Sequence, residues 1–317
     1  MKKISCLVVA FSIAAYSASA QLYLSFGLGY SFAQAGQTMY DTPIPYNGFP
    51  TGINGTRNNT SSTSYTYNIK SASFSSGVQS AISMGYMFSQ NVGIQLDAAI
   101  GLSNTKYTFN DDNANLGTSA SPVAGTISTI QQAKTPVLMM PALVLQTGGD
   151  KVNLYSRFGI ALPLNTKIDQ EQVISNNAGA GQVETDDFQW QIKSSFSLGF
   201  TAAAGVRYKL SDRISIWGEL SLLSMSLKAK EQDLQSLSQN GQSVALSSYP
   251  YPTTIKFSKT ATVDSNLASF PTYAQPFSNV GLKVGITVNL TKNKYTHHAR
   301  RNSDEDIIDD TKPFKRR

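Results

Sequence analysis

Cysteine and histidine are almost absent from the 317-residue chain. The single cysteine is Cys6, and the two histidines, His297 and His298, stand side by side near the end. A disulfide-linked scaffold and a metal site built on cysteine are therefore excluded for the remainder of the chain. A Ser-His-Asp triad is also excluded for residues 21–296, because that chemistry depends on a histidine as general base.

Charge and long apolar runs are scarce as well. Asp, Glu, Lys and Arg make up 15% of the residues, against about 25% in typical soluble proteins. Of the formal net charge of +6, residues 291–317 contribute eight basic and five acidic side chains, and Lys2 and Lys3 are also basic. Residues 21–290 are therefore nearly neutral, which gives no support for a nucleic-acid partner. No run after residue 20 reaches the roughly 18 apolar residues of a membrane-spanning helix.

The first twenty residues have the pattern of a secretory signal peptide. A basic start, MKK, precedes a short apolar core, ISCLVVAFSIAAY, and the small residues ASA stand immediately before Gln21. This order is typical of a cleaved export signal, and the apolar core is too short for a membrane helix. Cys6 precedes the core, so we do not expect a lipoprotein anchor. We predict cleavage near Ala20–Gln21 and an exported mature chain.

Apolar and small polar residues alternate with a period of two through the mature chain, which predicts β-strands. The first segment, QLYLSFGLGYSF, places Leu24, Phe26 and Leu28 on one face and Ser25 and Gly27 on the other. One segment, AKTPVLMMPALVLQ, is apolar on both faces and contains two prolines, so we expect an irregular, bulged strand there. Six further segments alternate: SFSSGVQSAISMGYMF, VGIQLDAAIGL, KVNLYSRFGIALPL, WQIKSSFSLGFTAAAGVRYKL, RISIWGELSLLSMSL and NVGLKVGITVNL.

The connections between these eight segments alternate between short and long. Tight turns rich in Gly, Asn, Asp and Ser are predicted at SQN, TGGD and SDR. The other four connections are long and polar, which places all short turns at one end of the meander and all long loops at the other. Ten strands are the alternative, if residues 63–70 and 254–263 form hairpin strands of their own. The long connections are residues 36–71, 110–132, 165–188 and 229–275.

The two faces of these strands favour a membrane barrel over a soluble one. One face is rich in Leu, Ile, Val and Phe, and the other consists mostly of Gly, Ser, Ala and Thr, which would make a poor core. We therefore predict an all-β fold: an eight-stranded up-and-down antiparallel transmembrane β-barrel with short periplasmic turns and long extracellular loops. A soluble lipocalin-like barrel is the alternative. Strand residues beyond the about 9–11 that cross a bilayer predict a projecting rim of hairpins.

Aromatic residues lie near both ends of the predicted strands. Two girdles at the membrane interfaces are typical of such barrels, although aromatic residues also favour strands in general. The short-turn group is Tyr86, Phe88 and Tyr208, and the long-loop group is Phe32, Phe74, Trp190 and Phe277.

The final strand, KVGITVNL, has the form of a barrel-assembly signal, with the polar Lys283, then Gly285, and then the hydrophobic Val288 and Leu290. With the export signal, the meander and the loop asymmetry, it resembles the small outer-membrane β-barrel family of Gram-negative bacteria. The resemblance is to the OmpA/OmpX-like transmembrane barrels and to the porin-family barrels of Bacteroidota. It covers residues 21–290, and implies outer-membrane localisation and contact with outer-membrane lipid, lipopolysaccharide and the barrel-assembly machinery. Members usually end in an aromatic residue where this chain has Leu290.

Asp97 lies in the middle of the apolar segment VGIQLDAAIGL, where a carboxylate is costly unless it faces polar groups. Alternation directs Asp97 into the lumen, and directs Arg157, Arg207, Glu219 and Lys283 there too. Counted from the short turns, all five lie within one layer of roughly 10 Å. Because the interior of an eight-stranded barrel is just wide enough for side chains, we expect a charge network that plugs the lumen. A gated narrow ion path and catalysis are the alternatives.

The remaining polar segments are a long loop, two acidic clusters and the end of the chain. Loop 36–71 is rich in Tyr, Asn, Gly and Ser, which suits adaptable binding of an extracellular ligand, although exposed loops of exported proteins are polar in general. The acidic clusters at 110–113 and 184–188 are expected to be solvated, with weak divalent-cation binding as the alternative. Residues 291–317 form a charged tail that we expect to be disordered and periplasmic. The predicted organisation is a signal peptide (1–20), a barrel (21–290) and this tail.

These observations together predict a non-enzymatic outer-membrane protein with a structural or surface-interaction role. We expect no metal, no cofactor and no nucleic-acid partner. A narrow porin-like channel for ions or small solutes, and a barrel component of an envelope or secretion machine, are the alternative functions.

Overall fold

The computed structural model describes residues 21–34, 56–61, 64–67, 72–116, 123–177, 183–260 and 269–291. The predicted signal peptide and all but the first residue of the predicted tail lie outside this part. The described residues form seventeen strands of one sheet and a single turn of 3-10 helix at Leu246–Ser248. No helix in them is long and apolar enough to span a membrane. The strands are β1 Gln21–Ala33, β2 Thr56–Ser61, β3 Ser64–Tyr67, β4 Gly77–Met87, β5 Val92–Asn104, β6 Tyr107–Asn115, β7 Ala124–Gln146, β8 Val152–Asn177, β9 Val183–Ser195, β10 Gly199–Lys209, β11 Ile214–Ser224, β12 Ser226–Gln239, β13 Gln242–Val244, β14 Thr254–Ser258, β15 Ser269–Pro271, β16 Ala274–Pro276 and β17 Asn279–Asn289.

Eight antiparallel strands close into a barrel. Their order around the barrel is β1, β4, β5, β7, β8, β10, β11 and β17, and β17 pairs back onto β1. Only the near halves of β7 and β8, residues 137–146 and 152–165, belong to it. The prediction of an eight-stranded barrel is therefore confirmed. The ten-strand alternative is wrong, because β3 and β14 pair outside the barrel.

The barrel carries its apolar side chains outside and its polar side chains inside. On β1, Phe26 and Leu28 are 51% and 57% exposed, whereas Ser25 is 3% exposed. The soluble alternative is thus wrong, since a lipocalin-like barrel would have the opposite arrangement. Two of the short turns are held by serine side chains, as their polar composition predicts. Ser89 Oγ accepts hydrogen bonds from the backbone N–H groups of Asn91 and Val92, and Ser211 Oγ repeats this in the β10–β11 turn.

Much of the long connections is not loop but ordered sheet. We name this part the extension: β2, β3, β6, β9, β12 to β16, and the far halves of β7 and β8 (residues 124–134 and 167–177). It continues the barrel sheet beyond the long-loop end, with β7 paired to β8, β8 to β9 and β9 to β12. The predicted long connections at 110–132, 165–188 and 229–275 therefore contain many strand residues, which their polar composition did not predict. The extension is far larger than the predicted rim of hairpins, which was based only on strand residues in excess of the number that crosses a bilayer.

The inward face of β7 changes parity where the barrel meets the extension. Residues 138, 140, 142 and 144 are buried in the barrel half, whereas residues 129, 131 and 133 are buried in the extension. The change occurs at a bulge between Lys134 and Val137, where Thr135 has a φ of 41°. Asn165 Nδ2 donates to the carbonyl oxygens of Lys134 and Thr135, at the point where the bulge interrupts the ladder. The prediction of a bulged strand is confirmed.

The extension buries apolar side chains on its inner face, as a soluble sheet does. The segment WQIKSSFSLGFTAAAGVRYKL, predicted as one strand, is divided between β9 and β10. Trp190 and Ile192 on β9 are buried, whereas Phe196, just beyond β9, is 72% exposed. Phe74 and Phe277 are buried in the same core. The prediction that Phe74, Trp190 and Phe277 belong to an aromatic girdle at the membrane interface is therefore wrong, because these side chains are buried in the core of the extension.

Candidate functional site

The centre of the lumen is occupied by an ion-pair cluster of Asp97, Arg157 and Glu219, three of the five charged residues predicted to meet there. Arg157 Nη1 pairs with Asp97 Oδ2, and Nη2 lies 2.5 Å from Glu219 Oε1 and 2.7 Å from Oε2. Asp97 is on β5, Arg157 on β8 and Glu219 on β11, so each carboxylate lies two strands from the arginine. The arginine therefore links β5, β8 and β11 across the intervening strands β7 and β10.

Neutral side chains complete the hydrogen bonding of both carboxylates. Gln95 Nε2 donates to Asp97 Oδ1 at 2.5 Å, and Gln95 Oε1 accepts from the Tyr23 hydroxyl at 2.7 Å. The Tyr155 hydroxyl donates to Glu219 Oε2 at 2.9 Å. Buried charges stabilise a fold only when their remaining hydrogen-bonding capacity is satisfied. Gln95 and Tyr155 supply this for the two carboxylates, whereas Arg157 Nε has no hydrogen-bond partner among the described residues. The sequence pattern, read for charge alone, did not single out the tyrosines.

Arg207 and Lys283 face the lumen beside this cluster but do not join its ion pairs. Among the described residues, neither lies within 4.0 Å of a carboxylate oxygen. The guanidinium carbon of Arg207 lies 5.0 Å from the ring centre of Tyr23 and 5.3 Å from that of Tyr155. Lys283 stands directly opposite Glu219 on the neighbouring strand. Of the predicted network, the structure thus joins three members in ion pairs and leaves two as buried basic side chains outside them.

Little empty space remains around the cluster. A cavity of about 20 Å³ lies among Asp97, Arg157, Glu219 and Lys283, which is room for about one water molecule. Beyond it, towards the long-loop end, apolar lumen residues pack against Trp190 and other core residues of the extension. The lumen therefore has a charged layer in the middle and an apolar layer above it. The apolar lumen residues are Ala99, Leu138, Met140, Ala161 and Leu223.

Trp217 fills a second part of the lumen, and it lies against glycine residues of a neighbouring strand pair. A Cβ added at Gly27 or at Gly285 would lie 2.5 Å from its ring. Gly285 is also a member of the predicted assembly signal, so its lack of a side chain has a packing reason as well. Tyr155 lies similarly against Gly205. The alternation of glycine with large residues could have indicated these contacts only if the strand register had been known.

Comparison with protein families decides the class of this barrel. The model of the outer membrane protein beta-barrel domain matches residues 4–249. The chain belongs to this family. The match and the closed barrel agree with the resemblance seen in the sequence, and they place the protein in the outer membrane. Comparison with curated proteins finds no match.

Solved outer-membrane barrels are distant from this family member. A major outer membrane protein of Thermus thermophilus is 10% identical, with a TM-score of 0.33, over 86% of this chain and 99% of its own. Ail, the attachment invasion locus protein of Yersinia pestis, is 7% identical, with a TM-score of 0.26, over 86% and 97%. A FadL homologue of Pseudomonas aeruginosa is 9% identical, with a TM-score of 0.17, over 88% and 91%.

The outer surface of this outer-membrane barrel has an apolar belt of membrane thickness. On β8 the outward residues from Val152 to Leu164 include Leu154, Phe158 and Ile160, all exposed. Twelve residues at about 3.3 Å each, on a strand tilted by about 40°, rise about 30 Å. This height equals the hydrocarbon core of a typical bilayer, which is about 30 Å thick.

A row of lysines lies just beyond this belt, at the long-loop end. Lys134 and Lys167 are cross-strand partners on β7 and β8, and Lys193 on β9 lies one residue beyond the Ile168–Ile192 pair. Lys167 is three residues past Leu164, which on a tilted strand is about 8 Å above the belt, within the headgroup layer.

Three acidic residues, Asp169, Glu231 and Asp233, partly balance the charge of these lysines. We define the lysine row as Lys134, Lys167, Lys193, Lys228, Lys230 and Lys256, of which Lys256 lies opposite Glu231 and Lys228 opposite Ser195.

The acidic segment at 184–188 lies in β9, on the extension. Glu184 accepts a hydrogen bond from Gln239, and Asp187 accepts one from Gln189. Partial burial and the neighbouring Glu184 raise the pKa of the Asp186 carboxyl above its usual value. Within the described residues, no group of three or more His, Cys, Asp or Glu side chains is arranged to hold a metal ion. Asp111 and Asp112 lie in β6.

Proposed function

We propose that the protein is a non-enzymatic outer-membrane barrel with a closed lumen, and that it acts as a structural or surface-interaction protein through its extension. In this proposal the long-loop end faces the outside of the cell. The short turns then face the periplasm, as does the end of β17, from which the tail departs.

The observation that carries the proposal is the ion-pair cluster in the lumen. Arg157 binds both lumen carboxylates, and the space beside it holds about one water molecule. An ion that crossed this layer would have to displace Arg157 from two desolvated carboxylates and then pass the apolar layer above. The same cluster supports a structural role, since it links strands on opposite sides of β7 and β10. Catalysis is disfavoured because residues 21–296 contain no histidine.

The extension supports the surface role. It offers a pleated, hydrogen-bonded surface rather than separate loops, and rigid scaffolds of this kind commonly present binding residues. Val183 on β9 is an exposed large side chain of the extension, and Tyr251 is exposed in the connection that precedes β14. We propose that its partner is an extracellular ligand or envelope protein, and that the lysine row contacts phosphate groups of lipopolysaccharide.

The last strand supports a proposal about assembly. Lys283, Gly285, Val288 and Leu290 remain our proposed signal for the barrel-assembly machinery. Lys283 faces the lumen, and Leu290 lies at the short-turn end, where its N–H donates to the carbonyl of Leu22.

Conductance across a planar bilayer tests the closed lumen. We expect the wild-type barrel to give no steady channels, and Arg157→Gln to give brief openings, because it releases both carboxylates. Arg213→Gln, at the exposed β10–β11 turn, is the matched control and should behave as wild type. Large steady channels in the wild type would refute the proposal.

A narrow channel is the second candidate, and one observation favours it. A cavity of about 80 Å³ opens at the short-turn end and shares Arg207 with the central cavity. Solutes can thus enter the lumen as far as Arg207. If this function is correct, the wild-type recordings show small, steady currents that change with Arg207→Gln.

A further inference from the structure

The cavity at the short-turn end is lined by polar and cationic groups. It lies between the β7–β8 turn and the part of the lumen next to the short-turn end. Its lining includes Tyr23, Gln146, Asn153, Arg207, Lys209 and Asn289. Arg207 and Asn153 are directly opposite each other on β10 and β8. Side chains of such a pair are neighbours, with Cβ atoms about 5 Å apart.

Arg207 is a buried cation without an anionic partner in the described residues. It is 9% exposed, and a guanidinium cannot lose its charge in a protein. The two lumen carboxylates are already bound to Arg157, and Arg207 Nη1 donates a 3.4 Å hydrogen bond to the neutral Gln146 Oε1. A buried charge is costly unless it is compensated. The stacking on Tyr23 and Tyr155 supplies only part of that compensation.

Two further features make the cavity electropositive and incompletely hydrogen-bonded. Of the charged side chains that line the cavity, Arg207 and Lys209 are basic and Asp150 is acidic, so the lining has a formal excess of one positive charge. Asn153 is 3% exposed, and its Oδ1 has no hydrogen-bond donor among the described residues. Asp150 also lines the cavity, but it lies exposed on the turn and forms no ion pair with Arg207.

We propose that this cavity binds a small oxyanion, carboxylate or phosphate in type, against Arg207. The anion neutralises the surplus positive charge; a hydroxyl of a protonated phosphate, or a water that accompanies a carboxylate, donates to Asn153 Oδ1. The site opens towards the short-turn end, so it samples solutes on that side of the membrane. This binding is independent of whether the lumen conducts.

The full-length barrel, refolded in a nonionic detergent, tests this with inorganic phosphate and acetate as probes. We expect the unfolding midpoint to rise saturably with phosphate or acetate, because the anion binds the folded state only. Chloride at equal ionic strength is needed as the reference, since phosphate also stabilises proteins in general. Direct titration of phosphate by calorimetry should show binding at least tenfold weaker in Arg207→Gln, and unchanged binding in Arg213→Gln. Equal binding by wild type and Arg207→Gln would refute the site.

A second variant keeps the test decisive if Arg207→Gln fails to fold. Asn153→Asp places a carboxylate opposite Arg207, where the proposed anion binds. We expect this variant to have a higher unfolding midpoint than wild type in chloride, and to lose the response to phosphate and acetate. A lower midpoint in chloride, or a response as large as that of wild type, would show that the cavity holds water only.

Discussion

Arg157 on β8 donates from one nitrogen to both carboxylate oxygens of Glu219 on β11, two strands away, at 2.5 Å and 2.7 Å. The other end of its guanidinium pairs with Asp97 on β5. One side chain therefore bridges the lumen, and its removal affects two carboxylates together.

Arg157→Met should destabilise the barrel strongly, since it leaves Asp97 and Glu219 charged, buried and unpaired. Loss of one partner of a buried ion pair costs about 3–5 kcal/mol. Urea unfolding of the refolded barrel in detergent measures this. The triple variant with Asp97→Asn and Glu219→Gln should recover most of the loss, because it removes the unpaired charges. A loss below about 1 kcal/mol in Arg157→Met would contradict the assigned role of this cluster.

Gly27→Ala should destabilise the barrel by about 1–3 kcal/mol through overpacking against Trp217. The added Cβ would lie 2.5 Å from the indole, which the close-packed lumen cannot easily move. Gly218→Ala is the matched control, because the nearest atoms to its Cβ are 3.9 and 4.0 Å away. Urea midpoints of the two variants should therefore separate. Trp217→Leu, combined with Gly27→Ala, should relieve the clash, and no relief would show that Trp217 is not its source.

The pairing of β9 with β12 in the extension should weaken at both extremes of pH. Hydrogen bonds to Asp233 and Glu231 raise the pKa of the Lys193 ammonium above its usual value. Partial burial opposes ionisation of Asp233, but hydrogen bonds from Lys193 and Thr254 hold the pKa of its carboxyl below its usual value. The lysine contribution is present below the ordinary pKa of 10.5 and is lost as pH rises through the raised pKa. The aspartate contribution is present above 3.8 and is lost as pH falls through the lowered pKa.

Hydrogen exchange of β9 and β12 amides measures this dependence. In the wild type, protection should fall below pH 3.8 and above pH 10.5 relative to the barrel strands. In Asp233→Asn the acid-side fall should largely disappear. Asp169→Asn, which removes the exposed partner of Lys134, serves as the control. An acid-side fall of equal size in Asp233→Asn would rule out this carboxylate as its origin.

Neutralising part of the lysine row should reduce binding of phosphorylated outer-leaflet lipid. A basic residue near an anionic membrane surface contributes about 1 kcal/mol. The triple variant of Lys167, Lys228 and Lys230 to Gln should therefore lose about 3 kcal/mol, roughly a hundredfold in affinity. The measurement is lipopolysaccharide binding to the purified barrel in nanodiscs. Lys151→Gln with Arg213→Gln, at the short-turn end, is the control, and equal binding by both variants would exclude the lysine row as the site.

The sequence pattern predicts the barrel but does not predict the extension. The alternation in QLYLSFGLGYSF assigns each residue to one of two environments, because a barrel strand has only lipid and lumen beside it. The extension reverses this assignment: Ile168 is buried inside it, although the barrel half of the same strand directs Arg157 into the lumen, and Trp190 is buried on β9, which belongs wholly to the extension. On β7 the reversal occurs at the bulge beside Thr135; the two prolines of this segment predict an irregular strand, but not that its inward face changes parity. The polar residues of 165–188 and 229–275 therefore suggested loops where the chain forms a second core.

The sequence by itself indicated a membrane barrel, favoured eight strands over ten, and directed Asp97, Arg157, Arg207, Glu219 and Lys283 into its lumen. These follow from residue parity and turn spacing, which are local properties of a strand. Only the tertiary structure decided which charges pair. The choice of Arg157 over Arg207 as the partner of both carboxylates depends on the stagger of strands around the closed barrel and on the tyrosines beside them. Those relations join residues 60 or more positions apart, such as Arg157 and Asp97, and no local pattern records them.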